Sequence, residues 1–162
     1  MLGFLSRQSR VGAPDLLDSR LLNEDTFYPA FIKDLNNCLS EVVIESPFIT
    51  NRRLGQLLPL LEKLKARKVR IIINTRDPRS HDEGYHRDDA HSALSKLQHM
   101  GIHVTYTQNH HRKLAIIDRS IFYEGSLNIL SQSNSAEMMR RIESTALAWE
   151  MTRFIRLDGA SR

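Results

Sequence analysis

Five polar residues recur at fixed intervals in the segment HHRKLAIIDRSIFYEGSLN, residues 110–128. His111 and Lys113 lie two apart, and in an extended chain residues two apart project from the same face. The apolar run Leu114 to Ile117 follows and ends at Asp118; after six more residues come Gly125, Ser126 and Asn128. An imidazole, an ammonium and two neutral hydrogen-bonding groups suit an oxyanion such as a phosphate, whose charge must be held while a bond to phosphorus changes. An imidazole serves as nucleophile or as acid near neutrality, because its reference pKa of about 6.5 keeps both protonation states accessible. No pair of carboxylates adjoins these residues, so no divalent metal and no cofactor is expected. Ser126 and Asn128 would equally serve as plain turn residues. His110, out of register with His111, is expected on the opposite face as a flanking group within reach of substrate.

The elements that must position these residues follow from apolar periodicity. Phe27, Phe31 and Leu35 predict a helix to about Cys38 with Thr26 as its N-cap, after an irregular arm over residues 1–25. VVIESPF, residues 42–48, and VRIIINT, residues 69–75, predict buried strands. Leu54, Leu57, Leu58, Leu61 and Leu64 outline a helix that is either kinked at Pro59 or regular only from there. Residues 76–89, RDPRSHDEGYHRDD, break all periodicity and predict a long functional loop, whose Tyr85 could stack on a base. Ala90 to Met100 predict a helix stopped by Gly101. IHVTYT, KLAIID, SIFYEG and EMMRRIES predict four further strands, and a helix through Trp149 and Phe154 closes the chain. Strands alternating with helices predict an α/β sandwich with a mixed sheet, a single domain over residues 26–162. There is no internal repeat.

Composition narrows the classes without deciding among them. The 162 residues, 41% hydrophobic and 26% charged, fit one globular domain. No apolar run approaches the roughly 20 residues of a membrane span. The opening MLGFLSRQSR is interrupted by Arg7 and Arg10 and holds no signal-peptide core. One cysteine, Cys38, fits a reducing interior, so a cytoplasmic protein is expected. The net charge is +4, and between Asn51 and Arg70 seven basic residues face one acid, Glu62. Arg52, Arg53 and the Lys63–Arg70 cluster are therefore either a track for a polyanion backbone or a solvated basic face. His81, Asp82, His86 and His91 match no structural zinc pattern.

The array His111-x-Lys113-x4-Asp118-x6-Gly125-Ser126-x-Asn128 resembles, gap for gap, the signature of the phospholipase D superfamily. Glu137 is similar to that family's acidic partner, with Glu143 as its competitor. The stretches SPFIT and SLNILS resemble single-motif phospholipase-D-like nuclease domains that stand alone or are fused to helicases. The resemblance implies a phospholipase-D-like α/β/α sandwich with a central mixed sheet. It implies a metal-independent phosphodiesterase in which one histidine attacks phosphorus and a second protonates the leaving oxygen. Lys113 and Asn128 would then clamp the phosphate, and Glu137 would hold the imidazole. Asp118 would take part electrostatically or act as a brace. One motif and no repeat imply a homodimer with a single shared site. DNA is the expected substrate, with a helicase as a possible partner and no membrane. A phospholipid hydrolase or transphosphatidylase, and a non-catalytic nucleic-acid-binding subunit of a helicase-type defence system, are the competing readings.

Overall fold

Runs of β-branched residues become strands and apolar residues at helical spacing become helices over the residues that the computed structural model describes, 18–80 and 84–155. The order is β1 (Ser19–Asn23), α1 (Glu24–Asn37), β2 (Glu41–Glu45), α2 (Asn51–Ala66), β3 (Arg70–Thr75), α3 (Gly84–His99), β4 (His103–Tyr106), β5 (Leu114–Ile117), β6 (Ile121–Gly125), β7 (Met138–Glu143) and α4 (Thr145–Phe154). One mixed sheet contains all seven strands in the order β1-β7-β6-β5-β2-β3-β4. β2, β3 and β4 are parallel, and every other neighbouring pair is antiparallel.

Strand alternation sorts the core into two layers. Val42, Ile44, Ile71, Ile73, Ala115 and Ile117 pack with the buried faces of α1, α2 and α3. Val43, Ile72, Leu114, Ile116, Phe122 and Ile142 face the other way and pack with Ala148 of α4. Helices therefore cover both faces, an α/β/α sandwich. A buried network fastens α1 to the sheet, as Asp34 accepts from Tyr123 Oη and from Arg141 Nε (2.6 Å) and Nη2 (3.1 Å).

Several boundaries differ from the sequence expectation. Residues 19–23 of the expected irregular arm form an edge strand paired with β7; residues 1–17 of that arm lie outside the described residues. The N-cap of α1 is Asn23, and Thr26 closes a capping box with it as the N3 residue. Pro59 lies inside α2, which runs from Asn51 to Ala66. The expected loop 76–89 is shorter, because Pro78–Ser80 is a 3-10 turn and α3 already begins at Gly84. His81 and Asp82 lie outside the described residues. Gly101 ends α3 with φ +68°, a conformation that glycine adopts without a Cβ penalty.

Candidate active site at one edge of the sheet

Antiparallel pairing decides which chain ends meet. β5 and β6 are antiparallel, so the start of β5 lies beside the end of β6; β6 and β7 are antiparallel, so the start of β7 joins them. One edge of the sheet thus gathers His111 and Lys113 just before β5, Ser126 and Asn128 just after β6, and Glu137 just before β7. His111 is exposed and Lys113 half-buried. The Lys113 Nζ folds back and donates to the His111 carbonyl at 2.8 Å, which keeps the ammonium beside the imidazole residue. Ser126 is stitched to β7 by its backbone N–H, which donates to the Met138 carbonyl at 2.9 Å. The Ser126 hydroxyl accepts from Met138 N at 3.1 Å. Gly125 is required at this join: a Cβ there would lie 2.1 Å from the Met138 carbonyl oxygen.

Asn128 is anchored through the loop that carries it. Ser46 Oγ accepts from Leu130 N at 3.1 Å, Thr50 N donates to the Leu130 carbonyl, and Tyr28 Oη donates to the Ile129 carbonyl at 2.9 Å. The Asn128 Oδ1 itself is buried and, among the described residues, has no partner. Turning the amide over exchanges this acceptor for a donor.

A family model described as "Cardiolipin synthase, PLD-like domain" matches residues 31–157. The chain belongs to this phospholipase-D-like family. Among solved structures it is similar to Nuc from Salmonella typhimurium, a phospholipase D family member, with TM-score 0.68 and 15% identity over 84% of this chain and 90% of that one. NucT from Helicobacter pylori gives TM-score 0.66 and 16% identity over 84% and 91%. Polyphosphate kinase from Porphyromonas gingivalis gives 0.67 and 13%, over 90% of this chain but 27% of the kinase. At these identities the likeness is one of fold. Comparison with curated proteins finds no match.

Three further residues of this phospholipase-D-like chain are held by contacts within the chain. Asp118 ends β5 at the edge opposite His111, where its carboxylate accepts from Leu39 N and Ser40 N (both 2.8 Å), Ser40 Oγ (2.8 Å) and Glu41 N (3.0 Å). It is a brace between β5 and the turn after α1. Burial works to raise its pKa, but the hydrogen bonds from Glu41, Leu39 and Ser40 prevail and hold it at about 2. Arg53 is not extended toward solvent: its guanidinium sits 3.8 Å from the Tyr28 ring centroid and donates twice to the Gln132 carbonyl, at 3.1 and 2.7 Å. It supports the Asn128 loop. Glu137 lies at the site edge, whereas Glu143 lies at the far end of β7 bonded to Arg141. Among the described residues, however, Glu137 makes no bond to His111; its carboxylate accepts from Ser135 Oγ at 2.7 Å.

The remaining expected contacts divide similarly. Arg52 is exposed on the first turn of α2, at the site end of the sheet. Much of the Lys63–Arg70 cluster instead sits at the opposite end and is engaged within the chain. Lys65 donates to the Gly101 carbonyl, Arg67 to the carbonyls of Asn36 and Cys38, and Arg70 pairs with Glu41. Tyr85 falls in the first turn of α3, and its side chain lies outside the described residues, as does that of His86. Among the described residues no three His, Cys, Asp or Glu side chains group to hold a metal ion, and no helix is long and apolar enough to cross a membrane.

Sequence reasoning missed a polar network beside the motif. Glu45 and Asn74, paired across β2 and β3, are both buried, and Asn74 Nδ2 donates to Glu45 Oε1 at 3.0 Å. Arg112 donates to the same carboxylate through Nε and Nη2. His110 is 3% exposed, and among the described residues its Nε2 has no partner. Burial holds its pKa below the ordinary histidine value, against the opposing effect of Glu45. The available signal was an acid and an amide at the ends of otherwise apolar strand runs, VVIE and IIIN.

Proposed function

We propose that this phospholipase-D-like chain is a metal-independent phosphodiesterase, a DNA endonuclease working through a phosphohistidine at a site shared by two copies. The observation that carries this reading is the gathering of His111, Lys113, Ser126, Asn128 and Glu137 at one sheet edge, with one such set per chain. A neutral His111 ring nitrogen attacks phosphorus, and the bond from phosphorus to the leaving oxygen breaks. The partner subunit's His111, as imidazolium, gives that oxygen its proton. Water then loses a proton to the now neutral second imidazole and attacks phosphorus, the P–N bond breaks, and His111 is released. One diester and one water become a monoester and an alcohol. Lys113 and Asn128 hold the non-bridging oxygens as charge builds there.

The two imidazoles need opposite protonation states, one as nucleophile and one as acid. A second copy supplies the second imidazole, because a two-fold axis places identical surfaces opposite each other. The net charge of +4 and the exposed Arg52 support a polyanionic substrate. The resemblance to single-motif nuclease domains favours DNA over lipid, and an intracellular setting with a helicase partner belongs to the same reading. Trapping tests it. DNA with a labelled scissile phosphate, quenched in alkali during turnover, should leave label on the protein in an acid-labile bond, and His111→Ala should leave none. Activity should also rise with the square of protein concentration below the dimer dissociation constant. Turnover by a protein that remains monomeric would refute the shared site.

A further inference from the structure

His111 does not stand on a strand. β4 ends at Tyr106 and β5 begins at Leu114; between them backbone bonds to neighbouring strands run from Thr107 N–H to the Thr75 carbonyl, at 3.0 Å, and from Gly125 N–H to the Lys113 carbonyl, at 3.3 Å. Asn109 turns the chain sharply, with φ +52°. Something other than the ladder must therefore decide which way His111 faces. The even-numbered neighbours supply it. Arg112 forks onto Glu45, a carboxylate with no exposed surface, and His110 is packed inside on the preceding even position. Asn74 joins the two ends of this anchorage, donating to Glu45 and accepting from Thr107 Oγ1 at 3.1 Å. With the His110 side chain buried and the Arg112 guanidinium held on Glu45, His111 between them is left facing solvent.

We infer that Glu45 and Arg112 are positioning residues that lock the facing of His111 and Lys113, a role that rests on His111 being the reacting group. Their chemistry suits the task. A guanidinium fork fixes direction as well as distance, which a lysine cannot do. A fully buried carboxylate accepts this fork and the Asn74 amide together, so the anchor cannot swing without leaving a buried charge unpaired. A nucleophile that must approach phosphorus in line is sensitive to such swings: a displacement of about 1 Å costs about 100-fold in rate.

The test separates this lock from general stability and from the nuclease reading. Replacing both partners of the pair with apolar residues of similar size avoids leaving the buried Glu45 carboxylate unpaired, so Glu45→Met/Arg112→Met is the decisive variant. Backbone order parameters of His111 and Lys113 in the full-length protein should fall from a rigid value of about 0.85 to below about 0.6, with the β5 and β6 amides unchanged. kcat on DNA should fall on the order of 10–100-fold with KM little changed. Arg112→Lys, which keeps the charge and loses the fork, should give a partial loss of both. The order parameters need no turnover, so they decide the question even if the wild-type protein does not cut DNA. Unchanged order at His111 and Lys113 in the folded double variant would overturn the inference. Should the double variant fail to fold, unchanged order in Arg112→Lys would do the same.

Discussion

Replacing Asp118 should damage stability and leave chemistry alone, although it stands within the motif. Its carboxylate satisfies three backbone N–H groups, those of Leu39, Ser40 and Glu41, together with the Ser40 hydroxyl. At about 1 kcal/mol for each main-chain bond, Asp118→Ala should cost about 3 kcal/mol, or about 6–12 °C in Tm for a chain of this length. Asp118→Asn keeps one acceptor oxygen and tolerates the left-handed backbone at this position, φ +50°. It should lose the charge-dependent part and at least one main-chain bond, because its NH2 group must take the place of one of the two accepting oxygens. A pKa held at about 2 against 3.8 sets that part at about 1 kcal/mol once solvent screening is discounted. The sign follows from the depressed value. This stability is complete above pH about 4 and is lost as pH falls toward 2. Thermal melts of the wild type and both variants between pH 2 and 7 measure it, with kcat taken well below each Tm. A variant with unchanged Tm and a kcat reduced tenfold or more would refute the brace and return Asp118 to the chemistry.

Four other perturbations probe the supports of the site. Gly125→Ala puts a Cβ 2.1 Å from the Met138 carbonyl oxygen and 2.8 Å from Met139 Sδ. It should part β6 from β7, cost about 3 kcal/mol in chemical denaturation and lower activity through Ser126. Arg53→Ala should cost about 1–2 kcal/mol and lower kcat, while leaving the salt dependence of DNA binding unchanged. Arg52→Ala should instead reduce that slope by about 1 in a titration of binding against salt. His110 is held neutral by burial, so the stability it contributes should be complete above pH about 6.5 and fall away below it. That pH step in the melting curves should disappear in His110→Gln.

The parts of the molecule legible in the sequence were those written in local patterns. Buried strands such as IIIN and LAII, and the leucine stripe of α2, carry their own period, and the motif spacing carries the site. What escaped depended on partners far along the chain. β1, SRLLN, has no clear alternation and becomes a strand only because β7 pairs with it. Glu45 and Arg112 are 67 positions apart and meet only after β2 and β5 align. The first turns of α3 hold charged residues with no apolar stripe before Ala90, so they read as loop. Arg53 read either as a polyanion contact or as part of a solvated basic face, because an arginine's charge is visible in sequence, whereas the carbonyl and ring that engage it are not. Conversely, Glu137 and Glu143 were indistinguishable by type, and strand direction alone puts one at the site and the other at the far edge.

The most direct test of the central claim is cleavage of labelled single- and double-stranded DNA at low salt in EDTA, with wild type and His111→Ala side by side. The account predicts cutting that survives the chelator and vanishes without the imidazole. Cutting that requires a divalent metal, or that persists in His111→Ala, would contradict it.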